Sequence, residues 1–162
     1  MKDSKHVTIY TDGACLGNPG PGGYAAILIY QGRRREVSGG YRRTTNNRME
    51  ITAAIIGLDA LTEKCTVTLY SDSQYLVNAM SKGWVERWRA NGWKRNKREK
   101  ALNADLWERL LGLCEYHDVR FFWVRGHADT KENIRCDEIA MQAAQQPNLP
   151  VDECYVSQSE SQ

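Results

Sequence analysis

The chain has 162 residues, 26% of them charged and 41% hydrophobic, a balance ordinary for one soluble globular domain with a core of its own. No apolar run approaches the roughly 20 residues needed to span a bilayer, Met1 to His6 carries no signal-peptide pattern, and the five scattered cysteines form no CxxC pair. These features argue against a membrane span, and they favour reduced thiols in a cytoplasmic protein over a disulfide framework or a zinc site.

Val7 to Thr11 reads as a first strand and Tyr24 to Tyr30 as a second that is apolar along nearly its whole length. The glycines and prolines between them, from Gly13 to Gly23, forbid a helix and predict tight reversals. Asp12 stands at the end of the first strand, directly before Gly13, where a ligand or another backbone can approach. Arg33 to Tyr41 gives a third strand, so the chain begins as an antiparallel meander. Thr44, Thr45 and Asn46 offer cap oxygens for a helix whose stripe runs through Met49, Ala53, Ile56, Ala60 and Leu61. Glu50 lies early in that helix: it is either a solvated acid at the positive end of the dipole or a carboxylate turned toward Asp12.

Thr66 to Tyr70 predicts a fourth strand, ending at Ser71-Asp72-Ser73, any of which can cap the short helix through Tyr75, Leu76, Ala79 and Met80. Asp72 is thus a second acid at a strand end. Residues 82–100 then carry a net charge of +6, leaving −4 on the rest of a chain whose total is +2. The total alone argues for no nucleic-acid partner, but its concentration in one segment does. Trp84 and Trp88, four apart on one helical face, alternate there with Arg87 and Arg89. So charged a stretch offers little apolar surface to bury tryptophan, which predicts a protruding basic helix and loop whose aromatics meet sugars or bases while cations meet phosphates. Leu102 to Cys114 predicts an amphipathic helix, Val119 to Val124 a fifth strand, Arg125 to Asn133 a loop carrying His127, and Ile134 to Gln145 a last helix with Asp137 in its first turns. Beyond Pro147 and Pro150 the polar tail is expected to be disordered or loosely docked.

This order predicts an α/β fold: a five-stranded mixed sheet, its first three strands antiparallel, with helices on both faces. With the first and fourth strands as central neighbours, Asp12 and Asp72 meet near one sheet edge, and Glu50 and Asp137 can reach the same point from packed helices. Gathered carboxylates repel, each pair roughly 4 Å apart by on the order of 4 kcal/mol at an effective dielectric of about 20. Such a cluster needs a cation, and an oxygen-only ligand set points to magnesium or manganese. Two such ions about 4 Å apart would activate a water and stabilise the leaving oxygen of a phosphodiester.

The runs Ile9 to Tyr24, Thr44 to Glu50, Ser71 to Tyr75, Trp123 to His127 and Asn133 to Glu138, in this order and at this spacing, together resemble the bacterial type-one ribonuclease H family over about residues 7–146. The resemblance implies a ribonuclease H-like domain over residues 1–146, with a basic protrusion at about 82–101 and a polar C-terminal tail over 147–162. It implies a magnesium-dependent endonuclease, with manganese a possible substitute and one or two ions acting, that hydrolyses the RNA strand of RNA–DNA hybrids whatever their sequence and leaves 3′-hydroxyl and 5′-phosphate ends. Asp12, Glu50, Asp72 and Asp137 would be the metal ligands and His127 a proton carrier or an aid to product release. Asn18, Asn46, Asn47 and Gln74 would read the 2′-hydroxyl of the RNA strand. The DNA strand would be held by Trp84, Trp88 and Arg89 of the protrusion and by a phosphate pocket of Arg43, Thr45 and Asn103. The family often carries Gly-His-Pro-Glu-Asn just after the segment equivalent to Gly126-His127-Ala128, whereas Asp129 to Asn133 follows here, placing an extra acid near the histidine. The expected partner is the hybrid duplex, with no membrane and a monomeric state. A non-catalytic hybrid-binding module is the rival reading, weakened by the presence of all four acids; a resolvase or integrase core does not predict the basic segment together with the asparagine pair.

Overall fold

A computed structural model describes residues 5–125 and 130–160. Five strands, β1 (Lys5–Cys15), β2 (Gly20–Tyr30), β3 (Arg33–Thr44), β4 (Cys65–Ser71) and β5 (Asp118–Trp123), form one sheet in the order β3-β2-β1-β4-β5. β2 is antiparallel to both β1 and β3, while β4 runs parallel to β1 and to β5. The helices are α1 (Asn46–Asp59), α2 (Gln74–Ser81), α3 (Trp84–Ala90), α4 (Ala104–Tyr116), α5 (Lys131–Ala144) and α6 (Glu153–Glu160). None of them is long and apolar enough to cross a membrane.

β2 is apolar throughout because both of its faces are covered. Ala26 and Leu28 join Val7, Ile9, Val67 and Leu69 in the main core beneath α1 and α4, whereas Ala25 and Ile27 pack on the other face against Cys136, Ile139 and Ala140 of α5. A fully buried strand reads as a continuous apolar run. The glycine-rich stretch is mostly strand: β1 runs through Gly13 to Cys15 and β2 begins at Gly20, so the reversal is confined to residues 16–19. Its glycines serve close approach. A Cβ at Gly13 would lie 2.5 Å from the Glu50 nitrogen, and one at Gly23 would strike the Ala140 carbonyl oxygen, so these two positions let α1 and α5 lie directly on the sheet.

Two expectations are corrected. The tryptophans of the basic segment do not rest on that segment alone: Trp84, Trp88 and Trp93 are half-buried against the main core, and Trp88 lies 6.2 Å from the fully buried Trp107 of α4. The apolar surface that the segment lacks is supplied by α4. The tail is not loose either. Asp152 is only 6% exposed and meets the buried guanidinium of Arg48, itself 1% exposed, before α6 begins. An aspartate that pairs with a buried arginine ties its segment down, and local composition does not reveal such a partner.

Candidate active site

The parallel register of β1 and β4 pairs Tyr10 with Tyr70, so the residues two further on, Asp12 and Asp72, emerge side by side at the same sheet end. Glu50 arrives from the first turns of α1, which Thr45 caps through its hydroxyl, 3.2 Å from the Arg48 amide. The Gly13 N–H donates to Asp12 Oδ1 at 2.9 Å and to Glu50 Oε1 at 3.0 Å, drawing the two carboxylates together. The buried Ser71 hydroxyl lies 3.5 Å from Glu50 Oε2, and Trp123 Nε1 donates to the Asp72 carbonyl at 3.0 Å. One carboxylate oxygen from each of Asp12, Glu50 and Asp72 lies within 4.8 Å of the other two.

These acids line a cavity of about 410 Å³ with Thr11, Asn46, Ser73, Arg125, Asn133 and Asp137. Burial, with the charges of Asp72 and Asp137 beside it, pushes the Asp12 carboxyl up to about 8. Burial and the neighbouring Asp12 and Asp72 hold Glu50 well above its ordinary value. Asp72, partly open to solvent, is also raised, chiefly by burial. Acids held together at this cost, with no cation side chain paired to them among the described residues, form a set that a hard, oxygen-seeking divalent ion fits.

The family model described as RNase H matches residues 4–145. The chain belongs to the ribonuclease H family. It is 65% identical over 148 residues to a ribonuclease H of Desulforamulus reducens, a match covering 91% of this chain and 93% of that one. Among solved structures it is similar to LC9-RNase H1, described as a type 1 RNase H with the type 2 active-site motif, at 32% identity and a TM-score of 0.78 over 89% of this chain and 74% of that one. It also shares the fold of LC11-RNase H1 solved in complex with an RNA/DNA hybrid, at a TM-score of 0.66 and 23% identity over 85% of this chain and 96% of that one. As a ribonuclease H the chain is an enzyme with endonuclease activity on RNA–DNA hybrids. The ribonuclease H family is metal-dependent, and the triad Asp12, Glu50 and Asp72 is where this member could hold metal.

The other ribonuclease H positions anticipated from sequence fall around this cavity or toward α3. Asn18 Oδ1 accepts the Asn46 amide at 3.1 Å, joining the loop after β1 to the start of α1. Asn46 lines the cavity, Asn47 is exposed beside it, and Gln74 is exposed in the first turn of α2, directly after Asp72 and Ser73. Trp84 and Trp88 line a separate hollow of about 480 Å³ with Arg87, Asn91, Lys94 and Arg95. Arg89 is tied to Glu115 at 2.8 Å. His127 and Asp129 lie outside the described residues.

Asn103, anticipated in the phosphate pocket with Arg43 and Thr45, lies directly before α4. It is 4% exposed, its Oδ1 accepts from Arg48 Nη1 at 3.3 Å, and its backbone N–H donates to Gln158 Oε1 at 2.8 Å. Its side chain serves an internal network, while Arg43 is exposed and the Thr45 hydroxyl stands at the α1 N-terminus. The sequence reading did not single out Arg48 or Ser71. Arg48 sits on a largely buried helix and its acidic partners, Asp105 and Asp152, lie 57 and 104 positions away, so no local pattern announces them.

Proposed function

We propose that the chain is a magnesium-dependent ribonuclease H that hydrolyses the RNA strand of RNA–DNA hybrids without regard to sequence, with Asp12, Glu50, Asp72 and Asp137 as the ligands. The observation that carries this reading is the convergence of three carboxylates within 4.8 Å at one sheet end, with Asp137 on the wall of the same cavity. Two divalent ions bound there, with manganese able to stand in for magnesium, would activate a water and stabilise the leaving oxygen of a phosphodiester. Asp12 and Glu50, fixed by the shared Gly13 amide, hold the inner edge of the cluster, while Asp72 and Asp137 face the open side where a phosphate arrives.

Discrimination for RNA falls to groups that donate and accept at a 2′-hydroxyl, and Asn18, Asn46, Asn47 and Gln74 are amides of that kind around the cavity. His127, placed by resemblance alone, carries protons or helps the product leave. The DNA strand lies toward α3, where Trp84 and Trp88 with Arg87, Lys94 and Arg95 offer an aromatic and cationic hollow. Arg43 and Thr45 hold one of its phosphates, an exposed guanidinium and a hydroxyl at the positive end of a 14-residue helix. Phosphates and sugars carry no sequence information, so cleavage follows strand chemistry alone. The enzyme is a monomer acting in the cytoplasm, with residues 1–146 as its catalytic domain.

The test is a hybrid with end-labelled RNA, incubated with magnesium or with chelator, followed by extension of the RNA fragments with a DNA polymerase. Magnesium-dependent fragments that can be extended carry 3′-hydroxyls and support the reading; binding without cutting supports a hybrid-binding module instead.

A further inference from the structure

The family match ends at residue 145, yet the next stretch is built into the fold. Where β3 approaches α1, the sheet ladder is irregular: Gly22 pairs with Tyr41 and Gly20 with Thr44, leaving Arg42 and Arg43 in the shift between them. The C-terminal stretch supplies what the ladder lacks. The Arg42 N–H donates to the Pro150 carbonyl at 2.7 Å, and Arg42 Nε reaches the Leu149 carbonyl at 3.3 Å. Asp152 Oδ2 accepts from the Thr44 hydroxyl and from Arg48 Nε, both at 2.7 Å, and its Oδ1 accepts from Arg48 Nη2 at 3.0 Å. Gln158 then binds the Asn103 backbone at the start of α4. Arg43 therefore sits between two residues that the strap holds, and Thr45 follows directly after the second.

We propose that the C-terminal strap, Leu149 to Gln158, is a positioning element for the phosphate contact of Arg43 and Thr45, so that a segment beyond the family match sets affinity for the DNA strand of the substrate. The inference rests on the placement of that strand proposed above. Backbone at a ladder shift has too few partners to fix its own conformation, and a side chain carried on it loses freedom when it binds. With Arg42 and Thr44 already held, Arg43 meets its phosphate with that ordering done in advance. The strap's hydrogen bonds named above run to Arg42, Thr44, Arg48 and Asn103, away from the acid cluster, so it acts on binding and leaves the hydrolytic step alone.

The experiment measures steady-state cleavage of one RNA–DNA hybrid over a range of salt, well below the melting temperature, for the native chain, Asp152→Asn, Gln158→Ala, Arg43→Ala and the Asp152→Asn/Arg43→Ala pair. Asp152→Asn keeps the shape of the anchor and Gln158→Ala keeps the Arg48–Asp152 pair, so one of them tests the strap even where the other folds poorly. The expected result is a KM raised about fivefold or more by Asp152→Asn and by Arg43→Ala, a smaller rise for Gln158→Ala, kcat within about twofold of native, and a salt slope shallower by about one. The paired variant should be no worse than Arg43→Ala alone. Native KM and salt slope in both strap variants, with only the melting temperature lowered, would overturn the proposal, as would additive effects in the pair. An Arg43→Ala variant with native KM would remove the phosphate contact itself and the strap's role with it, whereas a raised KM in that variant beside native strap variants would overturn the strap alone.

Discussion

Asp12 and Glu50, 38 positions apart in the chain, share a single hydrogen-bond donor, the Gly13 amide, at 2.9 and 3.0 Å. The absence of a side chain at Gly13 lets α1 come near enough for this, since a Cβ there would lie 2.5 Å from the Glu50 nitrogen. The result is a pair of buried acids whose charged forms are disfavoured until a cation joins them.

Asp12→Asn keeps the shape of the site and removes one charge. In chelator at pH 8 it should stabilise the fold by about 2 kcal/mol, and in magnesium it should abolish cleavage. Thermal melting and a hybrid cleavage assay on the same preparation check both halves. A variant melting at or below the native temperature in chelator would contradict a tightly packed acid cluster.

The same burial gives metal-free stability a pH dependence. The Asp12 carboxyl is raised from 3.8 to about 8, so between those values the folded chain holds a proton that the unfolded chain has released. Its contribution is fully present below about pH 4 and is lost as pH rises through about 8, and Glu50 and Asp72 shift in the same direction. Urea midpoints in chelator should therefore fall between pH 5.5 and 8.5, and magnesium should reduce that fall. A midpoint that rises over this range would contradict it.

Asp152→Ala leaves the buried Arg48 guanidinium with Asp105 as its remaining charged partner and should destabilise the fold by about 3 kcal/mol. Against the opposition of burial, the hydrogen bonds and charges of Asp105 and Asp152 hold Arg48 above its ordinary value, and Arg48 in turn holds Asp105 below its own. Replacing Arg48 by Met and Asp152 by Leu together should destabilise less than Asp152→Ala alone, because the charge then left unpaired, Asp105, is partly open to solvent whereas the Arg48 guanidinium is buried. Denaturant unfolding separates the two cases.

Replacing Arg87, Lys94 and Arg95 by alanine should weaken hybrid binding and lower the salt slope by roughly two to three, with metal-dependent stabilisation unchanged. Arg89 is left in place because it pairs with Glu115. An unchanged slope would mean that the α3 hollow is not where the DNA strand lies.

The sequence made the acid cluster legible because three of its members stand at points that local pattern defines: Asp12 and Asp72 at strand ends, Glu50 just after the capped first turn of a helix. Neighbouring central strands then bring the first two together. Other features depend on contacts that no local pattern carries. Gly22 and Gly23 read as turn formers but lie in β2, where α1 and α5 press on the sheet. The tryptophans of α3 find their apolar surface on α4, and Asp152 finds its partner 104 residues upstream.

The central claim, that the Asp12 cluster is a cation-dependent site for cutting RNA paired with DNA, is tested most directly by cleavage of four labelled duplexes by the native chain and by Asp12→Asn. These are RNA–DNA, RNA–RNA, DNA–DNA and a DNA duplex with one embedded ribonucleotide, each with magnesium or chelator. Cutting confined to the RNA strand of the hybrid, requiring magnesium and lost in the variant, is the predicted result. Cutting of plain DNA, or cutting of the hybrid that survives in Asp12→Asn, would contradict it.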